Sequence, residues 1–134
     1  MMNVFIVEDS EAMRENLRSM LSEFRDVSIV GYATDEADAI KHINALLPDV
    51  VILDLNLLSG SGIAVLKNVK KNHAEIKAMV LTNCNDEPYV EACKRAKADF
   101  FFDKSFQFMQ VREVFADWSR AGFPFGRLND RAPV

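Results

Sequence analysis

The sequence has 134 residues, of which 49% are hydrophobic and 27% charged, as is typical of one globular domain with a single core. Its net charge of -4 and isoelectric point of about 5.2 argue against a domain that binds nucleic acid by neutralising phosphates. No apolar run approaches membrane-spanning length, and no signal-peptide pattern opens the chain. Cys84 and Cys93 lack metal-ligand spacing, so we expect two reduced thiols in a cytoplasmic protein.

In chain order, short apolar runs alternate with amphipathic segments. The run NVFIV at 3–7 predicts a strand, and helical spacing of apolar residues over 10–24 predicts a helix with Ser10 at its N-cap. The other predicted strands cover 27–33, 49–55, 76–82 and 99–103, and the other predicted helices cover 35–46, 62–72, 87–97 and 107–119. We expect one domain over residues 1–120, with 121–134 as a C-terminal tail or the start of a linker.

This alternation predicts an α/β fold of five βα units, (βα)5, in which a doubly wound parallel sheet is covered by helices on both faces. The continuous apolar run DVVILDL is typical of a strand buried on both faces. Ligands of such folds bind at the carboxyl ends of the strands. The residues that follow each strand are therefore the candidate site.

Polar and charged residues stand at four of these strand ends. Glu8 and Asp9 follow the first strand, Asp54 ends the third, Thr82 ends the fourth and Lys104 follows the fifth. Three neighbouring carboxylates need a cation, and hard oxygen ligands suit Mg²⁺. An Asp carboxylate can act as a nucleophile and form an acyl phosphate, while a metal and a lysine stabilise the charge of phosphoryl transfer. The strand ends therefore indicate phosphoryl chemistry at Asp54.

With these residues in this order, the sequence resembles the receiver domain of two-component response regulators, the CheY-like family, over residues 2 to about 120. The resemblance implies a flavodoxin-like sheet with strand order 2-1-3-4-5. The matching features are the acidic pair, the phosphoacceptor in VVILDLNLLSGSG, the glycine eight residues later, the hydroxyl in AMVLTN, and the lysine in FFFDKSF with an aromatic switch residue three positions before it: Glu8, Asp9, Asp54, Gly62, Thr82, Phe101 and Lys104.

The resemblance also implies a function. Asp54 would accept a phosphoryl group from a histidine kinase or phosphotransfer protein, and Glu8, Asp9, Asp54 and the backbone carbonyl of Asn56 would hold Mg²⁺. Such a protein is a signalling domain rather than an enzyme, with at most self-phosphorylation and self-dephosphorylation activity. Thr82 and Phe101 would transmit the signal to the surface formed by the fourth helix, fifth strand and fifth helix. That surface would bind a protein target or a second copy, but neither nucleic acid nor a membrane, through residues such as Tyr89, Lys94, Lys97, Phe101 and Arg112.

Four positions depart from the family pattern. Leu58 and Ser105 stand where the family usually has proline. Asn83 replaces a residue that is usually small, and we expect it to narrow access to the phosphoryl group. Phe101 lacks the hydroxyl of the common tyrosine, so its switching would depend on packing alone.

Two other functions use related folds. Haloacid-dehalogenase-type phosphatases also combine an Asp nucleophile, a Ser or Thr, a Lys and Mg²⁺, but they carry a second Asp two residues after the nucleophile, where this chain has Asn56, a poor proton shuttle. A flavodoxin-like flavin binder needs a phosphate-binding loop after the first strand, and EDSEAM at that place is acidic. Both alternatives are less consistent with the residues than a receiver domain is.

Overall fold

The computed structural model describes residues 1–122, which form five βα units. The strands are β1 (Met2–Val7), β2 (Val27–Ala33), β3 (Val50–Leu53), β4 (Lys77–Thr82) and β5 (Phe100–Asp103). The helices are α1 (Glu11–Leu21), α2 (Glu36–Leu46), α3 (Gly62–Asn72), α4 (Glu87–Arg95) and α5 (Phe108–Ala121). Within this part of the chain, no helix is both long and apolar enough to span a membrane.

All five strands are parallel and lie in the order β2-β1-β3-β4-β5, which confirms the predicted fold. The register pairs Val7 with Leu53, and Thr82 with Asp103. Residues that follow β1 and β3 are therefore neighbours, as are those at the ends of β4 and β5. The sheet thus gathers the four predicted strand ends along one edge.

A hydrophobic core lies on each face of the sheet. One contains Leu17, Val111 and Phe115, so α1 and α5 cover that face. The other contains Ile43, Val65 and Cys93, so α2, α3 and α4 cover the opposite face. The side chains of β3 and β4 are buried along their whole length, and the continuous apolar run DVVILDL predicted this for β3.

Some element boundaries differ from the prediction. Ser10 caps α1 as expected and accepts a hydrogen bond from the Met13 N–H, but the helix ends at Leu21 rather than at residue 24. Phe24, which extended the helical pattern, packs on the same core from the turn that follows. At the other end of the chain, α5 continues to Ala121. The first residue of the predicted tail, Ala121, is therefore the last residue of α5. Residues 123–134 of that tail lie outside the described part of the chain.

Candidate functional site

The candidate residues lie at, or directly after, the carboxyl ends of β1, β3, β4 and β5. Backbone hydrogen bonds continue the ladder just beyond the strands, because the Asp54 N–H donates to the Val7 carbonyl at 3.0 Å and the Lys104 N–H donates to the Thr82 carbonyl at 2.9 Å. These bonds hold the residues after β1, β3, β4 and β5 at one level. Asp54 and Thr82 are buried there, as is Glu8, whereas Asp9 is exposed.

Three donors surround the Asp54 carboxylate. Its Oδ1 accepts a hydrogen bond from Thr82 Oγ1 at 2.6 Å and one from the Asn56 N–H at 3.3 Å. Its Oδ2 lies 2.9 Å from the Lys104 ammonium. These three contacts fix the orientation of the carboxylate in a residue that is only 6% exposed.

Lys104 joins two carboxylates. Its Nζ also lies 2.8 Å from Glu8 Oε1, and the other Glu8 oxygen accepts the Ser10 N–H at 3.0 Å. Burial raises the pKa of Glu8 above its ordinary value, and the hydrogen bonds from Lys104 and Ser10 offset this only in part. Burial by itself would lower the pKa of Lys104, but its hydrogen bonds to Glu8 and Asp54 outweigh that effect and raise the pKa. Lys104 is therefore a cation at neutral pH.

The donor set suits a divalent cation. One carboxylate oxygen from each of Glu8, Asp9 and Asp54 lies within 4.8 Å of the others. Carboxylate oxygens are hard ligands, and Mg²⁺ commonly uses one or two of them while it keeps several waters. The residues present fit Mg²⁺.

The sequence analysis missed Arg14. Its guanidinium donates a hydrogen bond to the Glu8 carbonyl at 2.9 Å and lies 4.2 Å from the centroid of the Tyr32 ring. These contacts fix the turn between β1 and α1, which carries the acidic pair. A basic residue on the first turns of the helix after an acidic pair was the available signal.

Two departures from the family pattern contact each other. Ser105 Oγ donates to the Asn83 side-chain oxygen at 3.1 Å, which links the β4–α4 and β5–α5 loops beside Lys104. The Ser105 N–H donates to Asp103 Oδ1 at 2.8 Å, a bond that a proline cannot make. The loop that follows Lys104 is therefore held by hydrogen bonds instead of by a proline ring.

The structure places several residues of the predicted output surface, whose binding role stays a prediction. Tyr89 is exposed, and Phe101 is half-buried and packs on the core beneath α2, α3 and α4. Lys94 pairs with Glu91 on its own helix. Arg112, however, lies 2.7 Å from Glu23 and 3.0 Å from Glu113. The charge of Arg112 is thus neutralised within the chain.

Gly62, the first residue of α3, is required by a close approach. A Cβ atom at this position would lie 2.0 Å from the Asp54 carbonyl oxygen and 2.6 Å from the Leu55 Cα. Both contacts are with backbone atoms, which cannot move without displacing Asp54 itself.

We therefore expect Gly62→Ala to lower the free energy of unfolding by about 3 kcal/mol. Urea denaturation measures this loss. Lys71→Ala, an exposed position on the same helix, is the control and should change stability by less than about 0.5 kcal/mol. A Gly62→Ala protein as stable as the control would contradict the close approach.

The chain is similar to known proteins in both sequence and fold. The family model of the response regulator receiver domain matches residues 4–116. The response regulator GacA of Pseudomonas aeruginosa is 27% identical over 120 residues, which cover 87% of this chain and 56% of GacA. The DNA-binding transcriptional activator DevR/DosR of Mycobacterium tuberculosis is 31% identical over 93 residues, which cover 69% of this chain and 43% of that protein. The chain spans about half the length of the curated relatives it matches.

Solved structures show the same fold. The response regulator domain of CheB from Thermotoga maritima superimposes with a TM-score of 0.75 at 26% identity, over 92% of this chain and 98% of that domain. A DNA-binding response regulator of the LuxR family from Staphylococcus aureus gives a TM-score of 0.79 at 25% identity, over 87% and 98% of the two chains. The family model covers most of the chain. The chain therefore belongs to the response regulator receiver domain family of two-component systems.

Proposed function

We propose that Asp54 is the phosphoacceptor of this receiver domain and that a histidine kinase or phosphotransfer protein is the donor. The observation that carries the proposal is the position of the Asp54 carboxylate, between the Thr82 hydroxyl and the Lys104 ammonium and beside two further carboxylates. In the transfer, one Asp54 oxygen attacks phosphorus, a P–O bond forms, and the bond from phosphorus to the donor's nitrogen breaks. The donor's phosphohistidine carries a proton on its other ring nitrogen, so the ring takes the electron pair of the P–N bond and leaves as neutral imidazole.

Each neighbouring residue has a distinct role in the proposal. Glu8, Asp9, Asp54 and the backbone carbonyl of Asn56 would hold Mg²⁺, which when bound neutralises negative charge on the phosphoryl oxygens. Lys104 supplies a second positive charge to the phosphoryl group. For this it must release a carboxylate, since it contacts both Glu8 and Asp54 in the structure described above.

Thr82 connects the reaction to the surface. Its hydroxyl now donates to Asp54 Oδ1, and after phosphorylation it would donate to a phosphoryl oxygen instead. This movement draws the end of β4 inward and leaves room for Phe101 to change rotamer. A local charge that biases an element with two arrangements is sufficient for a switch.

We propose that the surface of α4, β5 and α5 then binds a protein target or a second copy of the chain. We also propose that residues 1–120 are the receiver unit and that it acts in the cytoplasm.

The direct test uses acetyl phosphate as donor in the presence of Mg²⁺. Intact-mass spectrometry should show the addition of one phosphoryl group per chain, and EDTA should prevent it. A protein that stays unmodified under these conditions would contradict the proposal.

The switch makes a separate prediction. Beryllofluoride, standing in for the phosphoryl group, should shift amide NMR signals across residues 82–112 more than across α2, because Thr82, Phe101 and Lys104 lie in the first segment. Self-association or target binding should strengthen at the same time. Asp54→Asn with beryllofluoride is the control and should show neither effect. Shifts confined to residues around Asp54, with unchanged binding, would argue against this route of output.

A further inference from the structure

A backbone clasp joins the loop after β2 to the loop after β3. We define the clasp as residues 34–36 together with residues 58–61. Leu58 N–H donates to the Thr34 carbonyl at 3.1 Å, and the Glu36 N–H donates to the Ser59 carbonyl at 3.0 Å. Asp35 and Ser59 also form a parallel bridge. β1 separates β2 from β3 in the sheet, so the two loops meet only beyond the end of β1, where the acidic pair begins.

The Leu58 contribution comes from its backbone. Its side chain is 73% exposed and adds little to the core, whereas its N–H makes the bond to Thr34. A proline at this position has no N–H to donate. The residue that departs from the family pattern therefore provides a hydrogen bond that the usual proline cannot provide.

Glu36 closes the other half of the clasp. Its Oε1 accepts the Ser61 N–H at 2.9 Å. It packs so tightly on Gly60 that a Cβ there would lie 2.4 Å from the Glu36 Cβ. Gly60 has a positive φ of 82°, a conformation that glycine adopts without strain. The path of the β3–α3 loop is thus fixed from the start of α2.

The same loop carries Asn56. Asn56 forms an antiparallel bridge with Ser61, and its N–H donates to Asp54 Oδ1. The Ser61 N–H is bonded to Glu36, and Ser61 lies opposite Asn56 in a bridge that the Gly62 N–H closes on the Leu55 carbonyl at 3.0 Å. A displacement of the clasp would therefore move Ser61, which lies directly opposite Asn56.

We propose that Glu36 and the Leu58 N–H are positioning residues, which hold the β3–α3 loop so that the Asn56 carbonyl and Asp54 are set for Mg²⁺. The inference rests on the proposed function, because it assigns the metal site to these groups. It adds that the metal affinity of this chain depends on contacts from the β2–α2 loop, which contributes no metal ligand. Outer partners of metal ligands affect affinity because they fix the orientation of the ligands.

Two pairs of variants test it. Glu36→Ala removes the acceptor for Ser61, whereas Glu36→Gln keeps a side-chain oxygen there and removes only the charge. Leu58→Pro removes the N–H, whereas Leu58→Ala keeps it and shortens an exposed side chain. Mg²⁺ affinity is measured by calorimetry on the full chain without phosphodonor. Urea denaturation and amide hydrogen exchange of Leu58 and Ser61 are measured on the same samples.

Glu36→Ala and Leu58→Pro should each weaken Mg²⁺ binding about tenfold, and the exchange of the Ser61 amide should accelerate in Glu36→Ala. Glu36→Gln and Leu58→Ala should bind Mg²⁺ as the wild type does. If Glu36→Ala does not fold, the comparison of Leu58→Pro with Leu58→Ala still decides the question. Equal Mg²⁺ affinity in all the folded proteins would overturn the inference alone, and so would a Gln variant as weak as the Ala variant. A wild-type protein that binds no Mg²⁺ would overturn the proposed metal site together with it.

Discussion

Replacing Asp54 with asparagine should abolish phosphorylation by acetyl phosphate, from one phosphoryl group per chain to background. An amide oxygen is not a nucleophile at neutral pH, but it can still accept one of the two hydrogen bonds that Thr82 and Lys104 donate to separate Asp54 oxygens. The site should therefore keep its shape while it loses its reactivity. Time-resolved intact-mass spectrometry in Mg²⁺ measures the difference.

The matched control for this variant is Asp86→Asn. Asp86 precedes α4 and makes no side-chain capping hydrogen bond, so its amide should be harmless and the variant should be phosphorylated at the wild-type rate. If Asp54→Asn took up phosphoryl groups as fast as this control, another residue would be the acceptor.

Two changes at the acidic site should alter Mg²⁺ affinity in opposite directions. Asp9→Asn removes an exposed carboxylate from the set that faces the cation, so Mg²⁺ binding should weaken at least about tenfold and phosphorylation should slow with it. Lys104→Ala removes a cation that contacts Glu8 and Asp54. Mg²⁺ no longer competes with that ammonium for the same oxygens, so its affinity should rise several-fold.

Calorimetric titration with Mg²⁺ tests both variants, and Lys71→Ala is a control for loss of a lysine away from the site. Phosphorylation of Lys104→Ala should still be slower than that of the wild type, because the charge that stabilises the transferring group is missing. Unchanged affinity in Asp9→Asn, or weaker binding in Lys104→Ala, would contradict the proposed arrangement.

The fold was predictable because several local signals agree. Apolar runs at β3 and β4, helical spacing at α1 and the N-cap at Ser10 each indicate the element that forms. Parallel strands then bring their carboxyl ends to one edge, which is why the sequence alone predicts that Asp54, Thr82 and Lys104 lie together. The sequence could not reveal that Lys104 contacts Glu8 as well as Asp54, because that depends on the rotamers of two long side chains.

Other features lay beyond sequence reasoning for physical reasons. Phe24 fits the helical spacing of apolar residues in α1, but it packs on the core from the turn after the helix. The predicted C-terminal end of α1 was therefore misplaced. Arg112 was expected at a binding surface, and only the folded chain brings Glu23 within reach of it. Leu58 and Ser105 were recognised only as missing prolines. The hydrogen bonds made by their N–H groups depend on partners elsewhere in the chain or on local side-chain geometry, which no pattern of single residues encodes.

The most direct test of the account is to locate the phosphoryl group. The protein is treated with acetyl phosphate and Mg²⁺, reduced with borohydride, which converts an aspartyl phosphate to homoserine, and then digested and sequenced by mass spectrometry. The account predicts homoserine at position 54 and at no other aspartate. Homoserine elsewhere with aspartate intact at position 54, or complete absence of homoserine from a protein that had gained a phosphoryl group, would contradict it.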